Sequence, residues 1–307
     1  MNLITEFTPA DFASSHPELH HYTNFDGLAG IHKSCTLWAM NYRELNDTKE
    51  ITILEQPLVE ALTKRFGLLL QERQRKHAYV QRAIEETGGG VAGIAAGQAQ
   101  KMVRSFYDTM LRSAAPLDLY VTSFCTHADD PYAREHGLLS QWRGYGGGGD
   151  GGYCIVFETA GLVDLLRREF AAHYWVMALR IDQVHYYSDN FSVEGIFAPL
   201  LSESDKLLSA LMDHTEIPEA VMAFFFWAAP LLKHQGFREE HEARIVAIPA
   251  PQHDLNGVRS EHGDIFIPPF KTIHTRDGGR GRRQYLALFE SFRPELPADS
   301  TIQRIIE

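Results

Sequence analysis

Three segments of the chain hold the residue types best suited to chemistry. The first is His20-His21-Tyr22-Thr23, which brings two imidazoles, a phenol and a hydroxyl together. The second is Ser140-Gln141-Trp142-Arg143-Gly144-Tyr145-Gly146, which runs through a glycine-packed stretch into Tyr153. Arg143 has the planar fork that suits a pair of phosphate oxygens. Tyr145 or Tyr153 could stack on a flat ring, and Ser140 could bond a hydroxyl. The third is Phe237-Arg238-Glu239-Glu240-His241-Glu242-Ala243-Arg244-Ile245. Alternation along a strand would place Glu240 and Glu242 on one face. A fixed carboxylate there could stabilise a developing positive charge. Each segment also has a plainer reading. His21 is then a half-buried strand histidine, Trp142 a core residue covered by Arg143, and Glu242 the partner of Arg143 or Arg244.

Other chemistries find less support. Cys125, His127, Asp129, Asp130 and His136 could supply metal ligands, as could His20 with His21, but none falls at zinc-finger spacing. No metal site is expected. Cys35, Cys125 and Cys154 are far apart and have no identifiable partner base. The chain lacks GxxxxGK[ST], HExxH, GxSxG and a GxGxxG placed between a strand and a helix. That disfavours P-loop, zincin, hydrolase and Rossmann readings.

Taken together, the three segments resemble an uncharacterised family of bacterial domains carrying HYT, SQWRxYG and ExExR blocks. The accompanying Leu37-Trp38 and Leu45-Asn46-Asp47-x-x-Glu50 spacing fits the same pattern. That family is similar to a branch of the ADP-ribosyltransferase superfamily, and the likeness covers most of the chain outside its helical insertions.

The resemblance implies an NAD-dependent ADP-ribosyltransferase of the glycosyltransferase class, with NAD as substrate. His21 would donate a ring hydrogen bond to an NAD ribose hydroxyl, and the Tyr22 backbone would hold the nicotinamide carboxamide beside Thr23. Tyr22 stands where that branch usually has glycine, which narrows the room above the strand. Arg143 would grip pyrophosphate, with Ser140, Tyr145 and Tyr153 lining the same cleft. Cleaving the nicotinamide–ribose bond creates an oxocarbenium-like centre. Glu242 would stabilise it and Glu240 would direct the acceptor. The resemblance also implies a toxin or phage-defence setting, with a macromolecular acceptor and an antitoxin or regulatory partner. Acidic balance favours protein over nucleic acid as acceptor. The alternatives are NAD hydrolysis, RNA 2′-phosphate transfer, and a non-catalytic domain that senses a nucleotide or binds a partner.

The elements that must position these residues can be read coarsely. Leu19 to Tyr22 is strand-like, followed by a helix from Phe25 to His32 with Asn24 as N-cap. Leu37 to Met40 reads as a strand that ends in a turn at Asn46-Asp47. From about 50 to 113 the period is helical, with Leu54, Leu58, Leu62 and Phe66 near one face and Gly88-Gly89-Gly90 as an interruption. Further strands are expected at 119–124, 153–157, 175–187, 243–248, 264–267, 285–289 and 301–306. Helices are expected over 160–170 and within 197–234. Scattered strands without regular βα alternation predict an α+β fold. The resemblance makes it an ADP-ribosyltransferase-like split, mixed or antiparallel β core. The whole of 1–307 is expected to form one domain, with helical insertions near 50–113 and 195–236.

Bulk properties set the remaining bounds. The 307 residues are 44% apolar and 22% charged, as in ordinary globular proteins. Three cysteines argue for reduced thiols rather than a disulfide framework. The first residues lack a signal-peptide pattern, which predicts a cytoplasmic protein. The longest apolar run, Ala220 to Leu232, is shorter than the roughly 20 residues that span a bilayer, so no membrane partner is expected. A net charge of −11 opposes broad binding to nucleic acid. Arg276, Arg280, Arg282 and Arg283 form a local exception in a Gly-rich stretch. This reads as a solvated loop or as a contact for a phosphate-bearing ligand. The last predicted strand runs to Glu307, as though the C-terminus were trimmed.

Overall fold

Local signals decide most elements of the computed structural model. It describes residues 11–44, 52–109, 118–127, 130–146, 151–173, 175–188, 193–195, 197–213, 215, 225–226, 228–249, 269–278, 281–292 and 302–306. The fold is mixed α+β, and the strand pairings of its large sheet are antiparallel. The chain divides into two compact units. The first comprises Met1–Asn46, Asp118–Tyr186 and Gln235–Glu307; the second comprises Asp47–Leu117 and Tyr187–His234. The two helical blocks expected from periodicity both fall in the second unit.

The first unit is built on a nine-stranded sheet. In chain order its strands are β1 (Glu18–Thr23), β2 (Leu37–Asn41), β3 (Tyr120–Cys125), β4 (Tyr153–Glu158), β5 (Trp175–Gln183), β8 (Glu242–Pro249), β9 (Ile273–Gly278), β10 (Gly281–Leu288) and β11 (Ile302–Ile306). Two short strands, β6 (His185–Tyr187) and β7 (Leu232–His234), lie where the chain passes between the units. The expected strand over 175–187 is thus broken into β5 and β6. The expected strand at 264–267 and the spacing at 45–50 lie outside the described residues.

The sheet is split at β3. One edge of β3 pairs with β8 along its whole length, from Tyr120 opposite Ala247 to Cys125 opposite Glu242. Its other edge is shared by two strands. β2 pairs at Tyr120 and Val121, whereas β1 pairs only at Cys125, opposite His20.

Alternation sorts the side chains of this sheet into two faces. Leu19, Phe124, Ile155, Phe157, Ala243, Ile245, Leu286 and Leu288 join the main core on one face. Helix α8 (Thr159–Ala172) covers them with Leu162, Leu165 and Leu166. Each such leucine contributes about 1.5–3 kcal/mol by leaving water. The same helix buries Glu169, whose carboxylate holds Lys271 at 2.7 Å and accepts from the Phe289 N–H at 2.9 Å. On the opposite face, Tyr22, Cys125, Cys154 and Val156 form a smaller cluster against Trp142.

Helices α1 (Phe12–Ser15) and α2 (Phe25–Ser34) flank β1. Asn24 caps α2 by accepting from the Gly27 N–H at 2.9 Å, which is worth about 1 kcal/mol. Gly27 is required by proximity, because a Cβ there would stand 1.9 Å from Thr23 Oγ1. Helices α6 (Pro131–His136) and α7 (Leu139–Tyr145) follow β3. They are joined at Gly137, which has φ +75 and lies under the Trp142 ring.

The second unit is helical. α3 (Glu55–Lys76), α4 (Ala78–Thr87) and α5 (Gly90–Tyr107) come from one block; α9 (Ala198–Ser202) and α10 (Ser204–Met212) come from the other. Leu58, Leu62, Phe66 and Leu70 recur every four residues and are all buried, the stripe that makes α3 a core helix. Phe106 of α5 stacks on Phe225 at 4.6 Å. Arg73 ties α3 to α10 through Asp205 at 2.5 Å and Ser209 Oγ at 2.7 Å. No helix among the described residues is long and apolar enough to cross a membrane.

Candidate functional site

His21 occupies the split. Its Nδ1 lies 3.0 Å from the Ser123 carbonyl, on the edge of β3 between the points where β1 and β2 pair. A carbonyl only accepts, so Nδ1 carries the proton. Burial lowers the imidazole pKa, and the Ser123 contact only partly opposes this. The neutral ring therefore presents Nε2 as an acceptor. This reverses the bond expected from the resemblance: a ribose hydroxyl would donate to His21 rather than accept from it.

His21 has company on its face. It stands opposite Ile155, and Thr23 stands opposite Tyr153, so all four point to the same side of β1 and β4. The His21 ring lies 5.6 Å from Phe124. Tyr153 is half-buried, 6.1 Å from Phe25. Phe25, at the first position of α2, is 51% exposed, which is unusual for a large aromatic on a short helix beside the core. Phenol and phenyl thus meet at the end of β1, and the imidazole lies further along the same face against Phe124. Sequence reasoning named His21, Thr23 and Tyr153 but missed Phe25. The signal available was its place directly after the cap, where a core residue is not required.

Tyr22 points the other way. Its hydroxyl accepts from the Leu138 N–H at 2.9 Å and lies 2.8 Å from His127 Nε2. Its ring meets Trp142 edge-on at 5.0 Å. Burial, followed by the neighbouring Cys154 thiol, pushes the Tyr22 pKa up. Burial, then His20 and His241, pull His127 down to about 3. A neutral His127 accepts at Nε2, so the bonds run Leu138 N–H to Tyr22 and Tyr22 O–H to His127. This network seats α7 on β1. The Tyr22 side chain takes no part in the space around His21.

Glu242 shares the Tyr22 face. It stands opposite Cys125, and Cys125 stands opposite His20, so the three side chains lie in one row. Glu242 is 3% exposed, and both of its oxygens meet Arg244, at 2.7 Å to Nε and 3.1 Å to Nη2. The Glu242 N–H donates to the Tyr186 hydroxyl at 2.8 Å. Beside this pair, Arg180 is bound to Asp182 and is pulled down to about 10 by burial. The plainer reading of Glu242, an internal partner for Arg244, describes this geometry.

Glu240 does not alternate with Glu242. It ends a 3₁₀ turn, Gln235–Glu240, and His241 then takes φ +42 before β8 begins at Glu242. The His241 carbonyl is held by Thr126, from N at 2.9 Å and from Oγ1 at 3.1 Å. Left-handed backbone at a histidine breaks the period that would have placed both carboxylates on one face. Ser140, Arg143 and Tyr145 are exposed on α7, and Trp142 of the same helix packs against Tyr22. The structure thus gathers His21, Thr23 and Tyr153, and it places Glu242 and the α7 residues elsewhere.

Of the ligands considered for a metal, Asp130 caps α6 by accepting from Tyr132 and Ala133, and Asp129 lies outside the described residues. Among the described residues, no group of three or more His, Cys, Asp and Glu is placed to hold a metal ion.

No curated protein and no solved structure matches the chain. Residues 141–245, from within the Ser140–Gly146 block to within the Phe237–Ile245 block, match a family model described as a protein of unknown function, DUF2971.

Proposed function

We propose that this chain is an ADP-ribosyltransferase-like domain that binds NAD on the His21 face and holds it without transferring ADP-ribose. One observation carries the reading. At the split of the sheet, burial keeps His21 neutral and Ser123 fixes its tautomer, so that Nε2 accepts, on the same strand face as the half-buried Tyr153, which lies near exposed Phe25. An acceptor suits a ribose hydroxyl, and the rings suit a nicotinamide or adenine plane. Transfer demands more. The oxocarbenium-like centre needs a carboxylate facing it, and Glu242 lies on the other face, bound to Arg244.

NAD carrying label in its nicotinamide and adenylate halves tests this directly. The expected result is saturable binding, strongly weakened in His21→Ala, with neither free nicotinamide nor labelled macromolecule. Free nicotinamide alone would establish hydrolysis, and label on a macromolecule would restore the transferase reading. Absence of binding would remove NAD as the ligand.

A further inference from the structure

A hydroxyl, an imidazole and a carboxylate line up between α8 and the turn after β10, in residues that the NAD reading does not use. Helix α8 supplies Glu169, and His173 is the residue that caps its C-terminus. The 3₁₀ turn Glu290–Phe292, which follows β10, supplies Ser291. Ser291 Oγ lies 3.1 Å from His173 Nε2. On the other side of the ring, His173 Nδ1 lies 3.3 Å from the Glu169 carbonyl and 3.3 Å from Glu169 Oε1. Both of these oxygens only accept, so Nδ1 carries the proton. In the neutral ring Nε2 is then an acceptor, and the Ser291 hydroxyl donates to it.

Burial is graded along this row. Ser291 is exposed, His173 is 9% exposed and Glu169 is 0% exposed. A carboxylate this deep needs a countercharge, and Lys271 Nζ supplies it at 2.7 Å. The second oxygen of Glu169 accepts from the Phe289 N–H at 2.9 Å. Phe289 has φ +69, a left-handed backbone that is strained for a bulky residue. One carboxylate thus orients the imidazole with Oε1 and pins the strained turn that carries the serine with Oε2. A purely structural tie between α8 and β10 is complete with Glu169, Lys271 and the Phe289 N–H. It requires neither an imidazole nor a hydroxyl at its outer nitrogen. An exposed hydroxyl, a base behind it and an orienting acid beneath are what an activated serine needs. Such a set is defined by geometry rather than by sequence spacing, so it can stand in a chain that lacks GxSxG.

We propose that Ser291 is a nucleophilic serine that takes acyl groups from esters, with His173 as its general base and Glu169 as a positioning residue. Ser291 Oγ bonds to the ester carbonyl carbon while its proton passes to His173 Nε2. The bond from that carbon to the alcohol oxygen then breaks, and the alcohol leaves with the proton. Water, deprotonated by the same nitrogen, releases the acid and restores the serine.

The test is covalent labelling of the full chain by a fluorophosphonate, in which Oγ displaces fluoride and keeps the phosphonyl group. NAD is absent from the assay, so its outcome is separate from that of the NAD reading. Label is expected on Ser291, located by peptide mass spectrometry. It should be missing in Ser291→Ala, which loses only an exposed hydroxyl and should melt as the native chain does. p-Nitrophenyl acetate should be hydrolysed by the native chain and not by this variant. His173→Gln should label at least about 10²-fold more slowly, as loss of a general base does. In the native chain the labelling rate should rise with pH along one titration and then level off. The charged groups around that imidazole are Glu169 and Lys271, with Glu290 beside Ser291 on the turn. Glu169→Gln should move the titration to lower pH, because the imidazolium loses its carboxylate and keeps Lys271 nearby. A merely structural Glu169 would leave the midpoint where it was. No label on Ser291, a flat pH profile in the native chain, or equal labelling in folded His173→Gln would each overturn the proposal. Should either buried-site variant fail to fold, the native profile and Ser291→Ala decide it.

Discussion

His21 and Glu242 stand on opposite faces of one sheet, with β3 between them. A groove shared by this imidazole and this carboxylate is therefore not a feature of the fold. His21 lies on the main-core side against Phe124, and Glu242 faces Arg244.

The first prediction separates binding from folding at His21. His21→Ala removes one acceptor from a mostly buried ring and takes the donor from the Ser123 carbonyl. NAD affinity should fall about tenfold, as loss of one good hydrogen bond does. The urea midpoint should move little. Titration calorimetry and urea denaturation on the same preparation check both halves. An unchanged affinity would place the dinucleotide elsewhere.

The second concerns Glu242. Glu242→Gln strands the buried Arg244 charge, and breaking such a pair costs about 3–5 kcal/mol. Replacing both residues with Met should recover most of that loss, because the pair must also be desolvated. Urea denaturation of the two singles and the double closes the cycle. If Glu242→Gln kept native stability and abolished an NAD-dependent reaction, the carboxylate would be catalytic after all.

How much of this was legible beforehand depends on the range of the interaction. β1, β8, the Asn24 cap and the four-residue stripe of α3 were legible because period and capping are local. The interruption at Gly88–Gly89 was visible for the same reason. The break at His241 was not, since a left-handed histidine carries no glycine to mark it. Helix α7 was hidden by its shortness and its glycine flanks. Arg276 and Arg283 read as a loop, although strand edges commonly carry charge. Which face holds His21 and which holds Glu242 depends on pairing across more than a hundred residues. No single sequence displays that register.

The third prediction follows from His127. Burial, with His20 and His241 nearby, pulls it down to about 3 in the folded chain, from the ordinary histidine value of about 6.5. Between those values the unfolded chain takes up a proton that the native chain refuses, so stability falls as pH drops below 6.5. The loss is about 1.4 kcal/mol per pH unit, or about 2 kcal/mol from pH 7 to pH 5. His21 and His185 are also lowered by burial and add in the same direction. His127→Gln should flatten this slope by the His127 share. Urea midpoints at pH 7, 6 and 5 provide the comparison, and parallel slopes in the two proteins would refute the assignment.

The last prediction concerns how β1 is held against α2. A Cβ at Gly27 would stand 1.9 Å from Thr23 Oγ1 and 3.2 Å from Thr23 Cβ. Gly27→Ala must therefore turn the Thr23 hydroxyl aside or push the start of α2 away from the end of β1. Overpacking of this kind costs about 1–3 kcal/mol, more than the gain in helix propensity of about 1 kcal/mol. Thr23→Ala in the same chain removes the 1.9 Å hydroxyl clash but leaves the 3.2 Å contact to Cβ, so rescue should be partial and the two changes non-additive. Phe25 begins α2 and Tyr153 stands opposite Thr23, so NAD affinity should fall with stability in Gly27→Ala and recover in part with the second change. Full additivity would show that Gly27 and Thr23 are independent, and that the close approach of helix and strand does not shape the site.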